Sequence, residues 1–163
     1  MPQTRLHASR RWATTSTTMA PSYVDLLDMA SRLGVWVDVD DVGWLEGGET
    51  GGWFPEHDLI LLAPGLHPIE QRCTLAHELG HVTHEHRAGI TGWLKARQEQ
   101  QADRFAATLL ISPIEYELAE RLYGHSPNLL AQELDVTTNI VTTWQRLYER
   151  THVRRPAPPP PMR

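Results

Sequence analysis

Cysteine and long apolar runs are both scarce in this sequence, and their scarcity argues against several classes of protein. Cys73 is the only cysteine among 163 residues, so the chain can form no internal disulfide and no cysteine-rich zinc site. The longest apolar run, residues 59–63, is far shorter than the roughly 20 residues that cross a bilayer. We therefore predict a protein of a reducing compartment, the cytoplasm, with no membrane association.

A basic excess is absent as well. The formal net charge is -5 with histidine neutral, which gives no electrostatic footprint for general nucleic-acid binding. Hydrophobic residues make up 40% of the chain and charged residues 21%, which is ordinary for a soluble globular protein. We therefore expect a single soluble domain and no direct nucleic-acid partner.

The two ends of the chain lack the apolar patterning of a folded core. Residues 1–20 are rich in Arg, Ser and Thr and contain no apolar segment of a signal peptide, which predicts a disordered leader or a mis-assigned start, with Met19 as the alternative first residue. Residues 151–163 are rich in proline and predict a disordered, polyproline-type tail. The folded part is then one domain over residues 21–150, with residues 126–150 as a helical subdomain within it.

Periodicity and turn residues predict an α+β fold. Ser22 can cap a first helix with an apolar face that includes Val24, and Gly34 is a stop for it. Two apolar strands at residues 35–39 and 59–63, with a glycine-rich turn between them, predict a small antiparallel sheet packed on a helical core. Later helices, the last of which form a C-terminal helical subdomain, are predicted at residues 68–85, 97–111, 114–123 and 127–149.

The most informative local pattern lies on the helix that Pro68 begins. His77 and His81 are four residues apart, so both imidazoles project from one helix face and can share a metal ion. Glu78 follows His77 directly, which lets its carboxylate reach a water at that metal and act as general base. A helix with surface histidines is the alternative, and the apolar residues between and around the motif, such as Leu79, make it weaker.

A catalytic zinc has three protein ligands and a water, so the two histidines are only part of a site. The metzincin pattern fails, because it requires glycine at position 84 and histidine at position 87. Glu99 follows His81 by 18 residues, and Asp103 lies one helical turn after Glu99. This spacing after the histidine motif resembles the thermolysin-like, glutamate-ligand zincins. We therefore predict Glu99 as the third ligand, with Asp103 hydrogen-bonded to a ligating histidine behind it. Asp103, His84 or His86 as the third ligand stay open as alternatives.

These two segments together resemble the ImmA/IrrE family of metallo-endopeptidases. Residues 73–81 read CTLAHELGH and residues 99–110 read EQQADRFAATLL, and the resemblance extends over about residues 20–150. It implies that residues 21–150 are a metallopeptidase domain of the glutamate-ligand zincin type. By matched position, His77, His81 and Glu99 would bind Zn²⁺ and Glu78 would be the base. Pro113 lies one position later than the family pattern has it, which affects a helix end and not the chemistry.

The same resemblance implies a substrate. Members of this family are zinc-dependent endopeptidases, often encoded by phages and mobile elements, and their usual substrate is a helix-turn-helix repressor. We therefore expect a protein partner of this kind, a transcriptional repressor encoded nearby. We also expect the strand at residues 59–63 to pair with the extended substrate at a sheet edge, by analogy with the fold.

A competing interpretation rests on residues 129–147. Their apolar spacing, mid-segment turn and polar Thr and Asn residues resemble a helix-turn-helix, which would make the protein a DNA-binding transcription regulator with a non-catalytic metal site. However, the second helix has no Arg or Lys before Arg146, and Asp135 occupies the usual glycine position of the turn. We interpret the segment as a packing subdomain. A module that binds a partner without cleaving it is a third possibility, against which the complete motif argues.

Overall fold

A computed structural model of the protein describes residues 19–152, with side chains described through residue 149. The predictions for the leader up to residue 18 and for the tail from residue 153 lie outside these residues. The described part contains six helices and three strands. In chain order they are α1 (Tyr23–Leu33), β1 (Trp36–Val39), β2 (Gly51–Phe54), β3 (Leu59–Leu62), α2 (Pro68–Thr83), α3 (Gly92–Leu110), α4 (Pro113–Tyr123), α5 (Pro127–Glu133) and α6 (Thr138–His152).

The first helix begins and ends where its capping residues predict. Ser22 and Asp25 form a reciprocal capping box, and Gly34 takes a left-handed conformation with φ of 77° at the other end. The buried face of α1 consists of Leu26 and Ala30, one turn apart. Val24 is exposed, so the prediction that it belongs to the apolar face was wrong.

The sheet is mixed, and only half of it agrees with the predicted antiparallel pairing. β2 pairs antiparallel with β3, whereas β1 pairs parallel with β3, in the order β1-β3-β2. The chain turns away after β1, where the buried Asp40 carboxylate accepts backbone N–H groups of Gly43, Trp44 and Leu45. This turn carries β2 beyond the position that β3 later fills. β3 is therefore central, and the prediction that it pairs with a substrate at a sheet edge was wrong.

Helix α2 lies at the centre of the molecule and packs against α1, β2, β3 and α3. Leu75, Ala76 and Leu79 of this helix are completely buried. They anchor the face opposite to the one that carries the histidine motif. The buried core continues through every helix of the described chain, so the fold is one packed unit over these residues. Its largest fully buried side chains are Tyr116, Leu26, Ile60, Leu62, Leu75, Leu79, Leu110, Ile111, Leu130 and Val141.

Helices α2 and α3 approach most closely at Gly80. A Cβ atom added there would lie 2.8 Å from the Cα atom and 3.0 Å from the carbonyl oxygen of Ala102. Both atoms belong to the backbone, so they cannot move aside as a flexible side chain can. The absence of a side chain at Gly80 therefore allows the short distance between α3 and the histidine motif on α2.

We expect Gly80→Ala to destabilise the protein by about 1–3 kcal/mol, because the added methyl group forces the two helix backbones apart. This cost should exceed the gain of about 1 kcal/mol that alanine brings to a helix interior. Denaturant unfolding of the metal-free protein measures the effect. Gly47→Ala is the matched control, since a Cβ atom at Gly47 meets nothing within 4 Å. An unchanged or higher stability of Gly80→Ala would contradict the close packing.

The C-terminal helices pack onto the same core. The turn between α5 and α6 contains Asp135, which has a φ of 51°. α6 buries Ile140, Val141 and Trp144 and packs against α3 and α5. α3 begins at Gly92, five residues earlier than predicted. The prediction missed these residues because they are exposed and carry no apolar periodicity. Among the helices of the described part, none has the length and apolar character needed to cross a bilayer.

Candidate metal centre

The two motif histidines converge on one point. Because His77 and His81 lie one turn apart on α2, their rings stand side by side, with Nε2 atoms 3.0 Å apart. Both side chains are mostly but not fully buried. Each Nε2 atom can therefore offer a lone pair to an ion that enters from the solvent side.

Glu99 reaches the same point from α3. Its Oε2 atom lies 3.2 Å from Nε2 of His77 and 3.7 Å from Nε2 of His81. One donor atom from each of the three residues lies within 4.8 Å of the others. A tetrahedral zinc ion with bonds of about 2.0–2.1 Å needs donor atoms about 3.3 Å apart. Two imidazoles and a carboxylate at these separations fit zinc with one position left for water or substrate.

Asp103 lies behind His77, one turn beyond Glu99. Its Oδ1 atom is 3.0 Å from Nδ1 of His77, so the carboxylate accepts a hydrogen bond from Nδ1–H, and in the neutral imidazole Nε2 is the nitrogen available to a metal. Asn139 at the start of α6 donates to the same carboxylate oxygen at 3.4 Å. Asp103 contacts one of the two motif histidines, and its role behind a metal-bound histidine stays a prediction. The contact with Asn139 links α6 to the metal centre, and no sequence pattern predicted this link.

The electrostatics of the metal-free site favour a proton where the ion would bind. Burial lowers the pKa of His77, but hydrogen bonds to Asp103 and Glu99 outweigh this and raise its pKa to about 10. Hydrogen bonds from His77 and His81 hold the pKa of Glu99 well below its usual range. At neutral pH, His77 of the metal-free site is therefore positively charged and Glu99 beside it is negatively charged. A metal ion must displace the proton, so its binding becomes tighter as the pH rises.

Glu78 is buried beside the metal position, on the part of α2 that β2 covers. Burial raises its pKa, while the nearby His77 and His81 act in the opposite direction. A raised pKa suits a carboxylate that must accept a proton and then release it near neutral pH. The backbone of β2 approaches closely here. A Cβ atom on Gly51 would lie 3.3 Å from Cγ of Glu78 and 2.5 Å from Cγ2 of Thr74.

A cleft of about 1020 Å³ opens over these residues. β2 and the turn before it form one wall, and the α2–α3 connection with the start of α3 forms the other. The beginning of α6 closes one side through Thr137, Asn139 and Ile140. The floor carries the four motif residues His77, Glu78, His81 and Glu99. A cleft of this size accepts an extended segment of a polypeptide more readily than it encloses a small molecule.

His84 and His86, which the sequence left open as ligands, lie outside the cluster of donor atoms. Nδ1 of His84 donates to the carbonyl oxygen of Gly80 at 2.8 Å, at the end of α2. His86 is buried, and its Nδ1 atom lies 2.9 Å from Nδ1 of His81. Sequence reasoning missed this contact, because His86 follows the end of the helix and helical periodicity no longer describes its direction.

We expect Gly51→Ala to lower any hydrolytic activity of the site about 10- to 100-fold, because displacing β2 misplaces groups around Glu78. Zinc content should not change, since Gly51 touches no metal ligand. The two measurements are the cleavage rate and the zinc content of the same preparation. Gly47→Ala in the preceding turn is the control, as a Cβ atom there is free of contacts. Equal activity in both variants would show that the close approach of β2 is not needed.

Comparison with known proteins shows the family of the chain. The family model Peptidase_M78, described as the IrrE N-terminal-like domain, matches residues 30–143, which is more than half of the chain. A solved structure of a Mycobacterium tuberculosis transcriptional regulator is similar in fold, with a TM-score of 0.59 and 21% identity. The similarity covers 83% of this chain and 42% of that chain, and the search of curated proteins gave no match. With the matched segment spanning both the histidine helix and the Glu99 helix, the chain belongs to the IrrE N-terminal-like (Peptidase_M78) family.

Proposed function

We propose that the protein is a zinc-dependent endopeptidase. The observation that carries the proposal is the convergence of three donor atoms, from His77, His81 and Glu99, next to the buried carboxylate of Glu78. All four groups lie at the floor of one open cleft. A purely structural metal site would have four protein ligands and no such carboxylate beside an open position.

The roles of the residues follow from their positions. Zinc, when bound, supplies Lewis acidity and lowers the pKa of water, as in other sites with two histidines and a glutamate. Glu78 accepts a proton from the attacking water and delivers it to the leaving amine. Asp103 holds the ring of His77 in the orientation and tautomer that direct Nε2 toward the metal.

The strand beside the site gives the substrate a place to bind. β2 pairs with β3 on one side, and no other described strand pairs with its second edge. Gly51, Gly52 and Trp53 of this strand line the cleft. An extended peptide can add to such an edge through main-chain hydrogen bonds. β2 thus takes the role that the sequence had assigned to the strand at residues 59–63.

For the substrate we propose a helix-turn-helix repressor encoded nearby, in the manner of phage and mobile-element derepression. Membership of the IrrE-like family supports a regulatory protein as the target. The proposal includes a cytoplasmic location, which a buried free Cys73 as the sole cysteine suits. Zinc is the proposed ion, because the family resemblance and the two-histidine, one-carboxylate donor set both favour it.

The alternative, a DNA-binding regulator, meets a specific structural difficulty. The helix that would read DNA is α6, and Ile140, Val141 and Trp144 bury one of its faces in the core. The first residues of α6 line the cleft, and Asn139 donates to Asp103. The beginning of a recognition helix is the part that contacts base edges, and here its Asn139 contacts the metal centre instead.

The test is incubation of the zinc-loaded protein with the purified repressor encoded next to its gene, followed by mass spectrometry of the products. We expect one or a few defined cuts, which chelator-treated protein does not make and added zinc restores. Binding of the protein to a labelled DNA duplex, measured in parallel, tests the alternative of a DNA-binding regulator. Intact repressor together with salt-dependent duplex binding would overturn the peptidase proposal in favour of the regulator.

A further inference from the structure

The second motif histidine has a partner of its own on the side away from the metal position. His86, just after α2, is buried, and its Nδ1 atom lies 2.9 Å from Nδ1 of His81. The other nitrogen of His86, Nε2, lies 3.2 Å from Oε1 of Gln101 on α3. The three side chains therefore form one continuous chain of hydrogen bonds that ends at a metal ligand.

The direction of these hydrogen bonds follows from the inventory of donors and acceptors. The Oε1 atom of Gln101 can only accept, so Nε2 of His86 carries the proton between them. In a neutral imidazole the other nitrogen, Nδ1 of His86, is then an acceptor, and Nδ1 of His81 must donate to it. This leaves Nε2 of His81 with a free lone pair. That atom is the one that faces Nε2 of His77 and Oε2 of Glu99.

The opposite direction of the hydrogen bond between His86 and His81 would prevent His81 from binding a metal through Nε2. If Nδ1 of His86 donated to His81, the proton of His81 would sit on Nε2, and that nitrogen could not bind a metal. The position of the Gln101 oxygen thus decides which nitrogen of His81 is available. Ring contacts hold His86 in place as well, since it lies 4.9 Å from the ring of His81 and stacks on His84 at 5.4 Å.

The two motif histidines are therefore oriented by different hydrogen bonds, both of which lead to residues of α3. α3 supplies Asp103, which contacts His77 directly, and Gln101, which reaches His81 through His86. Glu99 on α3 completes the donor set. The close crossing at Gly80 and Ala102 therefore determines how near Glu99, Gln101 and Asp103 of α3 come to the histidines.

We infer that His86, oriented by Gln101, is a positioning residue that fixes the tautomer and ring orientation of His81 and so raises the affinity of the site for its metal ion. The inference rests on the metal site of the proposed function. It assigns to His86 a role as hydrogen-bond acceptor behind a ligand, rather than a role as ligand or substrate contact.

The test compares His86→Phe, which keeps a ring and removes the acceptor, with His86→Gln, whose amide oxygen can still accept. We expect the zinc dissociation constant, measured by chelator competition, to rise about 10- to 100-fold in His86→Phe, the usual cost of losing such a partner. His86→Gln should recover part of the affinity. His84→Phe is the matched control, because His84 stacks on His86 without contacting His81. Unfolding of the metal-free proteins should be alike in all of them.

A second readout does not depend on zinc. Nitrogen-15 NMR of the metal-free protein should show His81 protonated at Nδ1 in the wild type, and a mixture of tautomers in His86→Phe. An unchanged zinc affinity in His86→Phe, or an equal loss in His84→Phe, would overturn the inference. Should the wild type itself bind no zinc, the proposed function fails, and the NMR tautomer of His81 alone then decides whether His86 positions it.

Discussion

Glu99→Ala and His77→Ala are each expected to leave the protein nearly free of zinc, whereas the wild type carries about one zinc per chain, as a single three-ligand site requires. In the part of the chain that the structure describes, each of the two is one of three residues that together could hold a metal ion. With two donors and water in place of the third, the ion is held much more weakly and is lost during purification. Plasma mass spectrometry on protein prepared without chelator measures the metal content.

Matched controls separate loss of a ligand from general damage to the protein. Glu117→Ala removes an exposed carboxylate on α4, and His57→Ala removes an exposed histidine near β3, both remote from the donor cluster. Both controls should keep their zinc. If zinc disappears only in His77→Ala, the third ligand is Asp103 or another residue, and Glu99 has a different role. A wild type without metal, even after reconstitution, would refute the peptidase proposal as a whole.

Glu78→Gln should abolish most peptide hydrolysis while zinc remains bound. The amide has the shape of the carboxylate but cannot accept a proton from water, so the loss should be roughly 10²- to 10⁴-fold, the usual contribution of a general base. Glu78 is not one of the three donor residues, so metal content should stay near that of the wild type. The cleavage rate on the repressor and the zinc content of the same sample are the two measurements.

The stability of this variant is informative as well. Burial raises the pKa of Glu78, which means that the folded protein disfavours its charged form. A neutral amide removes that cost, so metal-free Glu78→Gln should unfold at the same temperature as the metal-free wild type or at a higher one. Glu46→Gln, in the same cleft but away from the metal position, is the control and should keep its activity. Undiminished hydrolysis in Glu78→Gln would transfer the role of base to another group.

Local sequence patterns predicted most of the individual elements and the ligand candidates, although β2 was not predicted as a strand of its own. The capping box at Ser22 and Asp25 and the left-handed Gly34 were readable because each depends on residues three or four apart. The same holds for the pairing of His77 with His81 and of Glu99 with Asp103, since one helical turn brings each pair to a common face. Their assignment to a single site depended on the resemblance to glutamate-ligand zincins and to the ImmA/IrrE family, because no periodicity links two different helices.

Other features depended on contacts that no short pattern encodes. The sheet was expected to be antiparallel, but β3 inserts between β1 and β2, and this order is set by the path of the connecting turn at Asp40. The sequence analysis also missed the exposed start of α3 and the exposure of Val24. Solvent exposure depends on which neighbouring element covers a residue. Propensity and pattern do not contain that information.

By itself, the sequence determined the α+β class, the helix with the two histidines and the later acidic helix, and it predicted the chemistry of a zinc peptidase. Only the tertiary structure decided that β2 is an edge strand near Glu78, that Asn139 of α6 contacts Asp103, and that His86 contacts His81. The physical reason is that each of these contacts joins a helix to another element or to the segment that follows it, and packing sets their relative positions. Groups far apart in the chain thereby reach hydrogen-bonding distance, and such distances are a property of packing rather than of local order.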